Sequence, residues 1–119
     1  MDSASATAFA TEWIAAWNAH DLGRILSHYA SDFEMRSPLI VELMGIAEGV
    51  LRGKTAVGTY WAIGLAAQPP LRFELIEVFG GARMMGILYL SVTRRRRVIE
   101  ILEFNDAGQV TRSAAIYAV

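Results

Sequence analysis

The C-terminal half of this chain most restricts what it can fold into. Four apolar stretches, residues 71–79, 83–93, 97–104 and 109–118, follow one another with only short turns between them. Gly80-Gly81 marks the first turn, Arg94 to Arg96 the second, and Asn105-Asp106-Ala107-Gly108 the third. Connections this short join antiparallel neighbours, because a parallel crossover needs a dozen or more residues. Residues 84–92 are apolar on both faces and belong at the centre of the sheet.

The N-terminal half has a different period. Over residues 6–20, Phe9, Trp13 and Trp17 recur every fourth position beside Ala10 and Ile14, which makes one apolar helical stripe. Asp21 can cap a second helix, 22–30, carried by Leu22, Ile25, Leu26 and Tyr29. Phe33 to Ser37 alternates as a short strand and stops at Pro38. Residues 38–53 read as an apolar flap holding one helical turn. A third helix, 54–66, follows Gly53, with Val57, Tyr60, Trp61, Gly64 and Leu65 on one face, and Pro69-Pro70 ends it. Helices first and strands afterwards place the elements in separate layers. The predicted fold is α+β: a cone-shaped roll of a strongly curved antiparallel sheet packed on three N-terminal helices, one domain over 1–119.

Composition limits the function. Hydrophobic residues make up 54% of the chain and charged residues 19%. That apolar excess exceeds the needs of a core this size and is expected to line a cavity or a subunit contact. A net charge of −1 gives no long-range pull on nucleic acid or an anionic membrane. There is no cysteine, hence no disulfide or thiolate chemistry. No secretory leader is evident at Met1–Ser5, and no apolar run reaches membrane-spanning length, so a cytoplasmic location is expected. His20 and His28 lack ligand spacing, and neither a metal nor an organic cofactor is expected. Arg94-Arg95-Arg96-Arg97 reads as a solvated turn.

Glu100 is the leading candidate for chemistry. On strand 97–104 one face reads Val98, Glu100, Leu102, Phe104, a lone carboxylate in an apolar row. If that row lines a cavity, desolvation raises the carboxyl pKa, and a hydroxyl or indole N–H is expected to hold it. Such a group exchanges protons near neutral pH. Ser37, ending the face that carries Met35, can cap the following segment or hydrogen-bond a ligand. Trp13, Trp17, Tyr29, Tyr60, Trp61 and Tyr117 concentrate aromatic surface with polar tips, suited to core packing or to a ligand carbonyl.

Four segments carry a resemblance. They are Trp13-Ile14-Ala15-Ala16-Trp17-Asn18-Ala19-His20-Asp21-Leu22, Tyr29-Ala30-Ser31-Asp32-Phe33, Leu51-Arg52-Gly53-Lys54-Thr55-Ala56-Val57, and Phe104-Asn105-Asp106-Ala107-Gly108-Gln109-Val110. In order and spacing they resemble the nuclear transport factor 2-like superfamily, and within it the SnoaL-like and ketosteroid-isomerase-like small-molecule branch. The resemblance implies a cone-shaped pocket, usually in a homodimer. Against the ketosteroid isomerase pattern, the general base falls on Ser37 and the oxyanion-hole tyrosine on Trp13. The protonated acid of that hole falls on Glu100, and an auxiliary aromatic on Trp61. Two of the three catalytic positions therefore depart from that pattern. The pocket histidines of dehydratases and the paired aspartates of epoxide hydrolases of this fold have no counterpart.

Together these readings predict an enzyme or binder for an apolar, carbonyl-bearing small molecule. As an enzyme it would perform cofactor-free isomerisation, cyclisation or hydration, with Glu100 and Ser37 at the reacting centre. Trp13, Trp17, Tyr29, Met35, Tyr60, Trp61, Leu102, Phe104 and Tyr117 would contact the ligand. The rival reading is a non-catalytic binding or dimeric interaction module. Ile99 and Ile101, opposite Glu100, are expected to need cover from a second copy.

Overall fold

The computed structural model describes residues 1–119. Helix α1 (Ser3–Asn18) opens on Asp2, whose side chain accepts from the Ser5 N–H at 2.8 Å. Asp21 caps α2 (Leu22–Leu26) in the expected way, accepting from the Arg24 N–H at 3.1 Å. The two helices are tied by Glu12, which receives both Nε and Nη2 of Arg24, at 2.9 and 2.6 Å. The Arg24 contact holds the Glu12 carboxyl down to about 2.

Strand β1 spans Tyr29–Arg36. Tyr29, predicted on the second helix, instead starts this strand. Its helical spacing is genuine, but a five-residue helix gains little from another turn. Strand β6 offers a ladder at the same place, beginning with Val110 N–H to His28 C=O at 3.0 Å. The predicted flap contains a seven-residue helix, α3 (Pro38–Met44), and a short strand, β2 (Val50–Arg52). Ser37 caps α3 through Leu39 N–H at 3.2 Å, Pro38 occupies the first turn, and Gly45 ends it at φ 67°. Gly49, at φ 66°, lets its carbonyl accept from Ser37 N–H at 2.9 Å. A Cβ there would lie 3.1 Å from the Ser37 carbonyl oxygen, on a backbone angle side chains rarely adopt.

Helix α4 (Lys54–Leu65) leads to β3 (Phe73–Gly81), β4 (Met84–Ser91), β5 (Arg96–Phe104) and β6 (Val110–Tyr117). The six strands form one curved, unclosed sheet in the order β2-β1-β6-β5-β4-β3. β3 through β6 pair antiparallel, as their short turns require. The pairing of β1 with β6 is parallel and places the first strand beside the last one. Register shifts interrupt the β3–β4, β5–β6 and β1–β6 ladders, and such irregularities let a sheet bend and twist.

α1 crosses β3. The Asn18 amide copies a strand partner there, donating to Phe73 C=O at 2.9 Å and accepting from Phe73 N–H at 2.8 Å. His20 meets the Leu71 carbonyl at 2.7 Å. On the inner face of the sheet, Ile87, Glu100 and Ala115 form one cross-strand row, and Tyr89, Val98 and Tyr117 the next. Ile99 and Ile101 lie on the outer face, half-buried, beside the exposed Phe79, Met84 and Ile116. No helix is long and apolar enough to cross a membrane.

Candidate functional site

The helices and the inner sheet face enclose a cavity of about 60 Å³, with 12 hydrophobic residues among its 16 lining residues. α1 contributes Trp13 and Trp17, and α4 contributes Tyr60, Trp61 and Gly64. Leu39 and Leu43 of α3 lie at its edge, and Leu71 and Phe73 close one side. The floor comes from Tyr89 and Ser91 of β4, Val98 and Glu100 of β5, and Ala115 and Tyr117 of β6. The aromatic walls brace one another: Trp17 meets Trp61 edge-on at 5.2 Å, and Phe73 lies 4.5 Å from Tyr89. Such contacts hold ring orientations that a flexible aliphatic wall would not.

Glu100 lies in this floor, 3% exposed, between Ile87 and Ala115. It forms no ion pair, and its Oε2 has no hydrogen-bond partner. Loss of water pushes its pKa up to about 8, so the acid form dominates at neutral pH. The hydroxyl or indole N–H expected to hold it is absent. The Trp13 indole N–H donates to the Tyr29 phenol oxygen at 2.9 Å, and the Tyr60 hydroxyl points to Ser37 Oγ at 3.4 Å. Trp13 therefore contributes its ring to the cavity wall, and its donor is already used.

Three buried side-chain polar atoms in the chain lack a partner: Trp17 Nε1, Ser91 Oγ and Glu100 Oε2. All three belong to residues of this one cavity wall. Leaving a polar group buried and unpaired costs about 1–3 kcal/mol, so three at one place is a concentrated expense. Trp17 carries an indole donor, Ser91 a hydroxyl and Glu100 a carboxylic acid, all on residues that line an apolar space. Burial raises the phenol of Tyr60 to about 12 and pushes those of Tyr89 and Tyr117 upward. These hydroxyls therefore stay protonated donors.

The predicted contact residues separate into two groups. Trp13, Trp17, Tyr60, Trp61, Tyr117 and Glu100 line the cavity. Ser37 is buried beside it, capping α3 and receiving Tyr60. Tyr29, Met35 and Leu102 are packed in the core and do not line the cavity. Met35 instead receives the Ser113 hydroxyl on sulfur at 2.9 Å. Phe104, further along β5, packs edge-on against Phe9 at 5.1 Å and faces a separate surface depression. Period-2 alternation puts these residues on the inner face, but the distance along the strand decides who meets the cavity. His28 pairs with Glu12, and no group of three or more His, Asp or Glu side chains gathers anywhere in the chain.

Several lining residues escaped the sequence reading. Ser91 and Tyr89 were hidden because β4 is apolar on both faces. Leu39 and Leu43 lay in the apolar flap, where no periodicity marked an inward face. Arg94 sits in the exposed β4–β5 turn, as expected, and also lines the cavity. No strand signal marked Arg94, because it precedes β5 in a turn whose Arg95 takes the left-handed conformation.

The chain is an α+β roll whose helices and inner sheet face surround an apolar cavity with a buried carboxyl group. The chain belongs to the SnoaL-like domain family, whose model matches residues 10–113. A SnoaL-like protein of unknown function from Burkholderia thailandensis is 44% identical, with TM-score 0.94 over 99% of this chain and 98% of that one. A protein of unknown function with cystatin-like fold from Methylobium petroleophilum shares 16% identity at TM-score 0.75, covering 100% of this chain and 79% of that one. TerC, co-crystallised with polyporic acid, shares 17% identity at TM-score 0.73, covering 91% and 87%. The last two likenesses are of fold. No curated protein sequence matches the chain.

Proposed function

We propose that this protein takes an apolar, carbonyl-bearing small molecule into the cavity and moves a proton on it, with Glu100 as the acid–base group. The observation that carries this reading is that Trp17, Ser91 and Glu100, the three residues with a buried side-chain polar atom left unpartnered, all line one apolar cavity. As a neutral acid, Glu100 donates to a ligand oxygen. After giving up its proton it is a strong base, because the apolar site favours taking the proton back. The indole N–H and the hydroxyl stabilise charge developing on the ligand oxygen. Isomerisation, cyclisation and hydration all use such a step, and no cofactor enters it. Ser37 supports Tyr60 and the α3 cap beside this site. TerC's crystallisation with polyporic acid supports the view that the fold admits an organic small molecule.

A ligand larger than the present volume enters by outward displacement of α3. Leu39 and Leu43 lie at the cavity edge, and Gly45 and Gly49 flank the helix in the left-handed region. The same reading includes a cytoplasmic homodimer joined through the outer sheet face. Phe79, Met84 and Ile116 are 47%, 39% and 50% exposed there, an apolar surface a second copy would cover.

The non-catalytic reading has one observation in its favour: Ser37, rather than a carboxylate, stands between β1 and Pro38. The two readings separate by hydrogen exchange. A panel of cyclic ketones is incubated in D2O with the protein, and deuterium uptake next to the carbonyl is followed by NMR. Uptake above background that disappears in Glu100→Gln supports the enzyme. Binding without uptake supports the module.

A further inference from the structure

The four consecutive arginines are all exposed, as a solvated turn requires, but their surroundings differ. Arg96 lies over the Tyr117 ring at 5.0 Å and donates from Nη2 to the Ala118 carbonyl at 2.9 Å. Arg97 joins Leu88, Ile99 and Ile116 on the outer face. Arg95 takes the left-handed turn position at φ 56°. Arg94 alone of the four lines the cavity, together with Tyr60, Tyr117 and Glu100. Since Glu100 is mainly neutral, Arg94 carries the wall's one permanent charge.

Arg94 makes no ion pair and no side-chain hydrogen bond within the chain, whereas Arg24, Arg52, Arg83 and Arg112 each pair with a carboxylate. The Arg94 guanidinium offsets a small part of the burial-driven rise of the Tyr60 and Tyr117 phenols. The turn that carries Arg94 is held in place. Thr93 Oγ1 donates to the Pro70 carbonyl at 2.7 Å, and Val92 N–H to that of Arg72 at 2.9 Å. Those bonds fix the hairpin against the segment that supplies Leu71 and Phe73.

We propose that Arg94 makes the cavity selective for an organic anion, a flat apolar body carrying a carboxylate at the end nearest the β4–β5 hairpin. This rests on the small-molecule reading above. The fork of a guanidinium matches a carboxylate in two parallel hydrogen bonds, and such charge-assisted bonds are about twice as strong as neutral ones. The rest of the wall is built for an apolar body, and the neutral acid at its floor does not repel an anion. With a net charge of −1 the whole chain has no general attraction for anions, so the preference is local.

The test is calorimetric binding of 2-naphthoate and its uncharged amide, 2-naphthamide, to the full chain at neutral pH. Wild type is compared with Arg94→Gln and with Arg95→Gln, an adjacent charge that does not line the cavity. The expected result is several-fold tighter binding of naphthoate than naphthamide by wild type. Arg94→Gln should weaken naphthoate about tenfold, the worth of a hydrogen-bonded charge, and leave naphthamide unchanged. Arg95→Gln should retain the preference. Equal binding of both compounds by wild type, or a preference that survives Arg94→Gln, overturns the role of Arg94 while leaving the cavity reading intact. Equal loss in both variants overturns it as well, because bulk charge would then be responsible. If neither compound binds wild type, both readings fall.

Discussion

The Trp13 indole N–H donates to the Tyr29 phenol oxygen at 2.9 Å, joining the middle of α1 to the start of β1 inside the core. Both side chains are almost fully buried. This bond determines which tryptophan can serve a ligand: Trp13 has spent its donor, and Trp17 has not. Tyr29→Phe should therefore destabilise the protein by about 1–3 kcal/mol, because it strands the Trp13 N–H without an acceptor. Urea denaturation measures this, and ligand affinity should hardly move. A neutral effect on stability would mean that the bond is not formed in solution.

Trp17→Phe tests the free donor. Its effect should depend on whether the ligand offers an acceptor. Affinity for a ketone such as 1-tetralone should fall severalfold more than affinity for the hydrocarbon tetralin, as loss of one hydrogen bond worth about 0.5–1.5 kcal/mol requires. Titration followed through the remaining tryptophans reads both values. Equal losses would show that Trp17 contributes only its ring.

Glu100→Gln should alter how stability depends on pH. The folded-state carboxyl pKa of about 8 exceeds the ordinary value of 4.5. Its contribution is therefore fully present below about pH 4.5, where both folded and unfolded forms are protonated. It declines as pH rises through the folded value, because the unfolded chain releases the proton first. Each unit of difference is worth about 1.4 kcal/mol, so the loss across this window is a few kcal/mol. Glutamine has no proton to release, and thermal melts of the variant should be flatter over the same range. Identical slopes would mean that Glu100 titrates as an exposed acid.

Ile116→Glu tests the outer face. Ile116 is 50% exposed in the protomer, so a charge there should leave the fold standing. It should convert a dimer at micromolar concentration to a monomer, read by sedimentation equilibrium. A wild-type protein that sediments as a monomer would remove the sheet-face dimer.

Several features of fold and site were legible in the sequence. The four C-terminal strands follow from apolar runs and turns too short for anything but antiparallel neighbours. Glu100 stands out because a strand's period of two gives each residue a face, and its face is otherwise apolar. The same parity puts Ile99 and Ile101 outside. Asp21 and Ser37 carry the local chemistry of caps, which needs only a few consecutive residues.

Tertiary structure decided the rest, because the deciding partners lie far away in the chain. Tyr29 has helical spacing, yet β6 claims it for a strand by offering a ladder from some eighty residues downstream. The two tryptophans of α1 look equivalent along the helix. Only the position of the Tyr29 hydroxyl makes one a structural donor and leaves the other free. Arg94 reads as one charge among four until the hairpin folds over the cavity and separates it from its neighbours. A local pattern can state which face a residue occupies, because backbone geometry sets that within a few residues. It cannot state what approaches that face, and the approaching atoms determine whether a polar group is satisfied, desolvated or left for a ligand.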